Sequence, residues 1–149
     1  MTNNQPIVFT RGVPAVESFP LDEIAEAARA AIGKYGNTIM QYGSSYGFMP
    51  LREWLADFHG VEVENVLCSN GSLQIVEFLC TLLLTSENRT VFVEAPTYDR
   101  TITTLRKHGA QIVSIPLEPD GPDIAALEAA LQAHTPAFFY LIPDFQNPS

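Results

Sequence analysis

Basic residues are scarce in this chain. Eight lysines and arginines face 17 aspartates and glutamates over 149 residues, for a formal net charge of -9. Affinity for a nucleic-acid backbone comes from a surplus of Lys and Arg, so nucleic acid is excluded as a partner and only a local anion site stays open. Cysteine is rarer still. Cys68 and Cys80 fall in an expected strand and an expected apolar helix, with no C-x-x-C pair and no nearby histidine to complete a zinc set; both read as buried thiols in a reducing compartment. The longest apolar stretch, residues 75–84, is too short to cross a bilayer. Residues 1–6 are polar, with no basic segment leading into an apolar core. The expectations are therefore no membrane association and a cytoplasmic location. No G-x-G-x-x-G follows any expected strand, which argues against a nicotinamide or S-adenosylmethionine binder, and the G-x-S-x-G of a serine hydrolase is missing. His59, His108 and His134 are scattered over helix ends and a loop and read as surface residues without a carboxylate partner.

What is present is an ordinary globular composition, 46% hydrophobic and 17% charged, enough to bury one core. Pro6, Pro14 and Pro20 make residues 6–20 an extended arm. Leu21, Ile24, Ala25, Ala28 and Ile32 recur at helical spacing, with Asp22 and Glu23 in the first turn and Gly33 as the stop. Tyr35, Tyr42 and Tyr46, interleaved with Gly36, Gly43 and Gly47, make residues 34–50 an irregular loop with exposed aromatic handles. An arm, a helix and a loop thus occupy residues 1–50, ahead of an α/β domain over 51–149. Leu51, Trp54, Leu55 and Phe58 give that domain a first helical stripe, closed by Gly60.

The stretch Leu67-Cys68-Ser69-Asn70-Gly71-Ser72-Leu73-Gln74 organises the rest. A short apolar strand over 65–68 stops at a polar, glycine-containing turn, and a helix over 72–84, apolar on nearly every side and so expected to be buried all round, begins at once. The first turn of such a helix leaves backbone N–H groups unpaired at the positive end of its dipole, where a phosphate fits. Ser69, Asn70 and Ser72 add capping groups. A plain strand-to-helix turn with a capping serine reads the same residues more modestly.

Strands and helices then alternate. A strand is expected over 90–94, a helix over 99–107 closed by Gly109, a strand over 111–115 and a proline-rich turn over 117–122. Asp123 caps a helix whose Ile124, Leu127 and Leu131 face inward, and 137–142 is an apolar strand buried on both faces. That order calls for a mostly parallel sheet flanked by helices. Ligands of such sheets sit beyond the carboxyl ends of the strands. There the chain offers the turn at Ser69, then Ala95-Pro96-Thr97-Tyr98, then Pro143-Asp144-Phe145-Gln146-Asn147-Pro148. A phosphate cradle, an aromatic plate and a polar amide are expected to share one crevice.

These motifs, with Gln41-Tyr42-Gly43, Gly47, Leu51-Arg52-Glu53 and Glu94-Ala95-Pro96-Thr97-Tyr98-Asp99-Arg100, resemble the N-terminal portion of the fold-type I pyridoxal-phosphate aminotransferases. The branch they resemble most includes 2-aminoadipate and aromatic aminotransferases, and the likeness covers residues 7–149. It implies roles. Gly71, Ser72 and Leu73 would give backbone amides, and Ser72 its hydroxyl, to the cofactor phosphate. Family members often carry glutamine where this chain has Leu73, which keeps only the N–H. Tyr98 would stack on the pyridine face. Asn147 would hydrogen-bond the ring oxygen, with a cis Asn147–Pro148 peptide. Tyr42 would reach across a homodimer interface to the partner's phosphate. Gly12 would pass near the substrate carboxylate, and Arg11 beside it either reads an acidic side chain or stays solvated.

The implied chemistry is transamination between an amino acid and a 2-oxo acid, with a lysine moving the proton. The chain has only Lys34 and Lys107, and neither falls in the family's Schiff-base motif. The expectation is the front part of a longer enzyme, inactive by itself. The rival readings are a non-catalytic cofactor-binding fragment and the aminotransferase-like sensor domain of a transcription regulator. The regulator should carry a basic winged-helix segment ahead of the arm, where this sequence has a few residues before Pro6.

Overall fold

Glycine ends a helix when it enters the left-handed region and not otherwise, and the first helices show both cases. Helix α1 (Leu21–Ile39) runs through Gly33 and Gly36, neither of which has a positive φ, and closes where Met40 N–H donates to Gly36 O. The stop expected at Gly33 is therefore wrong by six residues. A helical glycine costs about 1 kcal/mol against alanine, and the uninterrupted hydrogen bonds of a long helix tolerate it. Helix α2 (Met49–His59) does end at Gly60, whose φ of 64° and ψ of 38° turn the chain.

The computed structural model describes residues 14–149, in two units that divide between Val63 and Glu64. In the first unit, Ala15 is extended and one 3-10 turn spans Val16–Ser18, so the arm expectation holds in part; its remainder, with Arg11 and Gly12, lies outside the described residues. The irregular loop is shorter than expected, because α1 takes its first six residues and α2 its last two. Tyr35 meets Phe48 edge to face at 5.2 Å, and Arg52, buried on α2, donates to Val63 O at 2.7 Å.

The second unit is built on strand β1 (Thr90–Ala95). It pairs in parallel with β2 (Gln111–Glu118) from Thr90↔Gln111 to Ala95↔Pro116, and in parallel with β4 (Phe138–Tyr140) from Val91↔Phe138 to Val93↔Tyr140. With β3 (Gly121–Pro122) turning back antiparallel on β2, the order is β3-β2-β1-β4. Paired on both sides, β1 buries Val91, Phe92, Val93 and Glu94. The mostly parallel sheet is as expected.

Helix α3 (Ser72–Leu83) packs Val76 and Cys80 against Val91 and Val93 of β1 and Leu105 of helix α4 (Asp99–Lys107). Only that stripe is covered. Phe78 is 49% and Leu82 76% exposed, so the expectation of a helix buried all round is corrected: one sheet face supplies one packed side. Helix α5 (Ile124–Ala133) is capped as expected, Asp123 accepting from Ala126 N at 3.0 Å, yet Ile124 and Leu131 are exposed.

Two expected strands also change. Val63–Asn65 forms a 3-10 turn and 66–69 run outside the four-stranded sheet, so the turn at Ser69 is not delivered by a strand of that sheet. Strand β4 is three residues long and half-buried, because it has one neighbour and because Ile142 sends its N–H to the Glu94 carboxylate instead of to a ladder carbonyl.

His108 is not the unpartnered surface residue expected. Its Nε2 meets Glu77 of α3, whose other oxygen takes Lys107 Nζ at 3.0 Å. His108 first, then Lys107, hold the Glu77 carboxyl below its ordinary 4.5. A depressed carboxyl adds stability above its unfolded value and loses it as pH falls through the folded one. Replacing Glu77 by Gln should therefore lower urea-denaturation stability at about pH 6 and leave it near wild type at about pH 3; an equal loss at both would refute the linkage. The uncovered face of α3 sets a second expectation. The chain produced alone should self-associate in sedimentation velocity, and Leu82→Glu should shift it toward monomer; a monodisperse wild-type monomer would count against it.

Candidate functional site

The turn before α3 is held by its own side chains. Ser69 Oγ donates to Gly71 O at 3.1 Å, and Gln74 Oε1 reaches back to accept from Asn70 N at 2.8 Å. Gly71 is the N-cap, with φ 83° and ψ 165° and no side-chain cap. The cap is thus not supplied by the serines, as the sequence had indicated, but by Gln74 closing on the residue before the cap. Ser72 and Leu73 are the first two helical residues. Their N–H groups meet no acceptor among the described residues, since the first amide to close a turn is Gln74 N on Gly71 O. Two free amides at the positive end of a twelve-residue helix form an anion-receptive turn.

Tyr98 is the N-cap of α4, half-buried just beyond β1. Thr97 and Thr101, on either side of it in sequence, bury Oγ1 without a partner among the described residues. Asn147 follows β4 in an exposed loop; the Asn147–Pro148 peptide is cis, as the resemblance implies, and so is Ala95–Pro96. Because β1 and β4 are parallel, Tyr98 and Asn147 follow the same edge of the sheet.

One side chain joins those two strand ends. Gln146 Nε2 donates to Pro96 O at 2.8 Å and to Glu94 Oε2 at 3.3 Å, while Gln146 Oε1 accepts from Ser149 N and Oγ at 2.9 and 2.6 Å. In the sequence Glu94 and Gln146 stand inside the motifs without an assigned role. The signal was there: an acidic residue at the end of an otherwise apolar strand needs donors if it is buried.

Tyr42 belongs to the first unit, where its ring is fully exposed in the loop after α1. Gly12 and Arg11 lie outside the described residues. A cavity of about 660 Å³ opens within the second unit, walled by Glu94, Pro96, Gln146, Ser149 and the β2–β3 hairpin. Gly71, Ser72, Leu73, Tyr98 and Asn147 do not line it, so the single crevice expected to hold cradle, plate and amide is not this cavity. The hairpin and the loop after β4 form its walls instead. Among the described residues no cluster of His, Cys, Asp or Glu is placed to hold a metal, and no helix is long and apolar enough to cross a membrane.

The second unit is thus an α/β domain whose mostly parallel sheet is followed by Tyr98 after β1 and by the Asn147 loop after β4, with the two unpaired N-terminal amides of α3 outside the strand ends. The chain belongs to the class I and II aminotransferases, whose family model matches residues 5–148. It is 40% identical to a 2-aminoadipate transaminase of Thermus thermophilus over 95% of this chain and 35% of that protein. It is 30% identical to aromatic-amino-acid aminotransferase 1 of Thermococcus litoralis over 96% and 37%. A crystal structure of an alpha-aminoadipate aminotransferase from Thermus thermophilus, complexed with N-(5'-phosphopyridoxyl)-L-leucine, superposes at a TM-score of 0.86 with 39% identity, over 95% of this chain and 36% of that one. The chain spans about a third of the length of these relatives.

Gly71 generates a direct test. Its φ and ψ lie where only glycine is at ease, while a Cβ built there would meet no heavy atom within 4 Å. Gly71→Ala should therefore cost about 1–3 kcal/mol through backbone strain alone, read by urea denaturation. Wild-type stability in that variant would mean the turn relaxes.

Proposed function

We propose that the polypeptide carrying this sequence is a pyridoxal-phosphate-dependent aminotransferase, moving an amino group between an amino acid and a 2-oxo acid. The observation that carries the reading is the pair of unpartnered amides at Ser72 and Leu73 behind the side-chain-free Gly71, in a chain of this family. Those amides and the Ser72 hydroxyl bind the cofactor phosphate, and the helix dipole adds to the attraction. The Tyr98 ring covers one face of the pyridine. The Asn147 side chain, exposed in the loop after β4, donates to the ring oxygen. The residues present fit the group.

When bound, the cofactor supplies an electrophilic carbon and an electron-withdrawing ring. The chain's part is to fix the ring between Tyr98 and Asn147 and to neutralise the phosphate, which orients the substrate α-carbon for proton removal. Neither lysine of this chain removes that proton. Lys107 is exposed and paired with Glu77, and Lys34 lies over the Tyr35 ring at 4.7 Å. The 149 residues alone should not turn over. Tyr42 completes the phosphate site of a second subunit, which makes the protein a homodimer in the cytoplasm. Gly12 and Arg11 lie outside the described residues and keep the roles the resemblance implies, Gly12 near the substrate carboxylate and Arg11 either reading an acidic side chain or solvated.

The natively produced polypeptide, incubated with pyridoxal phosphate and reduced with borohydride, should gain one cofactor on a lysine other than Lys34 and Lys107, located by intact mass and peptide mapping. A stoichiometric adduct on either of those two, or none, would remove catalysis and leave a binding lobe.

A further inference from the structure

Gln146 is saturated. Its two amide hydrogens go to Glu94 and Pro96, and its oxygen takes both donors of Ser149, which uses the full capacity of the group and fixes its orientation. Glu94 is 3% exposed, and its Oε2 also accepts Ile142 N at 3.0 Å. Among the described residues, every side-chain hydrogen bond between the 142–149 loop and the end of β1 passes through these two groups. The loop is not at ease without them. Phe145, directly before Gln146, holds a φ of 53° with its ring fully exposed, so packing of the ring does not hold that backbone in place.

We propose that Glu94 and Gln146 are positioning residues that set Asn147 in register with Tyr98, and so decide how the cofactor ring is held. Tyr98 lies two residues after Pro96, and Asn147 is the next residue after Gln146. The ring face and the ring oxygen are therefore read from two chain segments that Gln146 locks together. Glu94 supplies the buried negative charge that orients the Gln146 amide and keeps Ile142 out of the strand ladder. The inference rests on the cofactor reading above.

The test uses the natively produced polypeptide, Glu94→Gln, Gln146→Ala, and Ile112→Ala as a control destabilised elsewhere in the sheet. Without cofactor, amide hydrogen exchange over residues 142–149 should rise about tenfold in the first two variants, the loss of a charge-assisted bond, and stay unchanged in the control. With pyridoxal phosphate, their affinity should fall about tenfold, and at saturation the induced circular dichroism of the bound cofactor should change in amplitude. A role in stability alone would leave that band as in wild type and in the control. Unchanged exchange, or a wild-type band at saturation, overturns the proposal. If the wild-type polypeptide takes up no cofactor, the cofactor reading falls, and with it the cofactor half of this inference, whereas raised exchange still upholds the lock between the two strand ends. Should Glu94→Gln fail to fold, Gln146→Ala, outside the core, carries the same readouts.

Discussion

A carboxylate at 3% exposure, at the end of the central strand, is the constraint to which the loops beyond the carboxyl end of the sheet answer. Removing an ionised group from water is costly unless donors replace the water. At Glu94 the donors are a backbone amide two residues past β4 and the side-chain amide of Gln146. Meeting that demand bends the chain out of the β4 ladder, ends the strand at Tyr140 and lays the following loop across the end of β1. An apolar residue at position 94 would pack against the sheet with no such instruction. Here a polar requirement, not hydrophobic burial, specifies where the loop goes.

The other end of the unit is organised by ordinary packing. Val76, Cys80, Val91, Val93 and Leu105 bring two helices onto one face of β1. Helix α3 thereby begins one turn before a buried residue, and the turn at Gly71 inherits the rigidity of that core. The Glu77, Lys107 and His108 group ties the same two helices at their solvent-facing side. Apolar and charged contacts act on the same pair of helices, so the anion-receptive turn and the Tyr98 cap ride on elements fixed twice over.

Much of this was legible in the sequence, and the failures have physical causes. The patterns of 90–94 and 99–107 located β1 and α4 to within a residue, because each is bounded by a turn signal, whereas 111–115 found the start of β2 but missed its last three residues, which run on through Pro116 into the hairpin. The Asp123 cap was readable from its position ahead of an apolar run. What sequence could not give was partnership. Whether 65–68 is a strand depends on pairing, not on its own residues; whether α3 is covered depends on what packs against Phe78 and Leu82; whether Gly33 stops a helix depends on a φ that glycine leaves open. The resemblance marked Ser72, Tyr98 and Asn147 as expected ligand contacts, but not Glu94 and Gln146, which bond to each other. Long-range polar bonds leave no periodic trace.

The order of the strands has a consequence for how the chain comes together. Strand β2 follows β1 across a single short helix, so β1, α4 and β2 can pair as soon as about thirty residues are free of the ribosome. Strand β4 arrives only after a hairpin and another helix, and joins the opposite side of β1. Until then that side of the central strand presents unpaired backbone groups to any extended chain nearby. Strand β4, which leads into the segment that carries Asn147, is thus the one that ends the period in which β1 is open to pairing with the wrong chain.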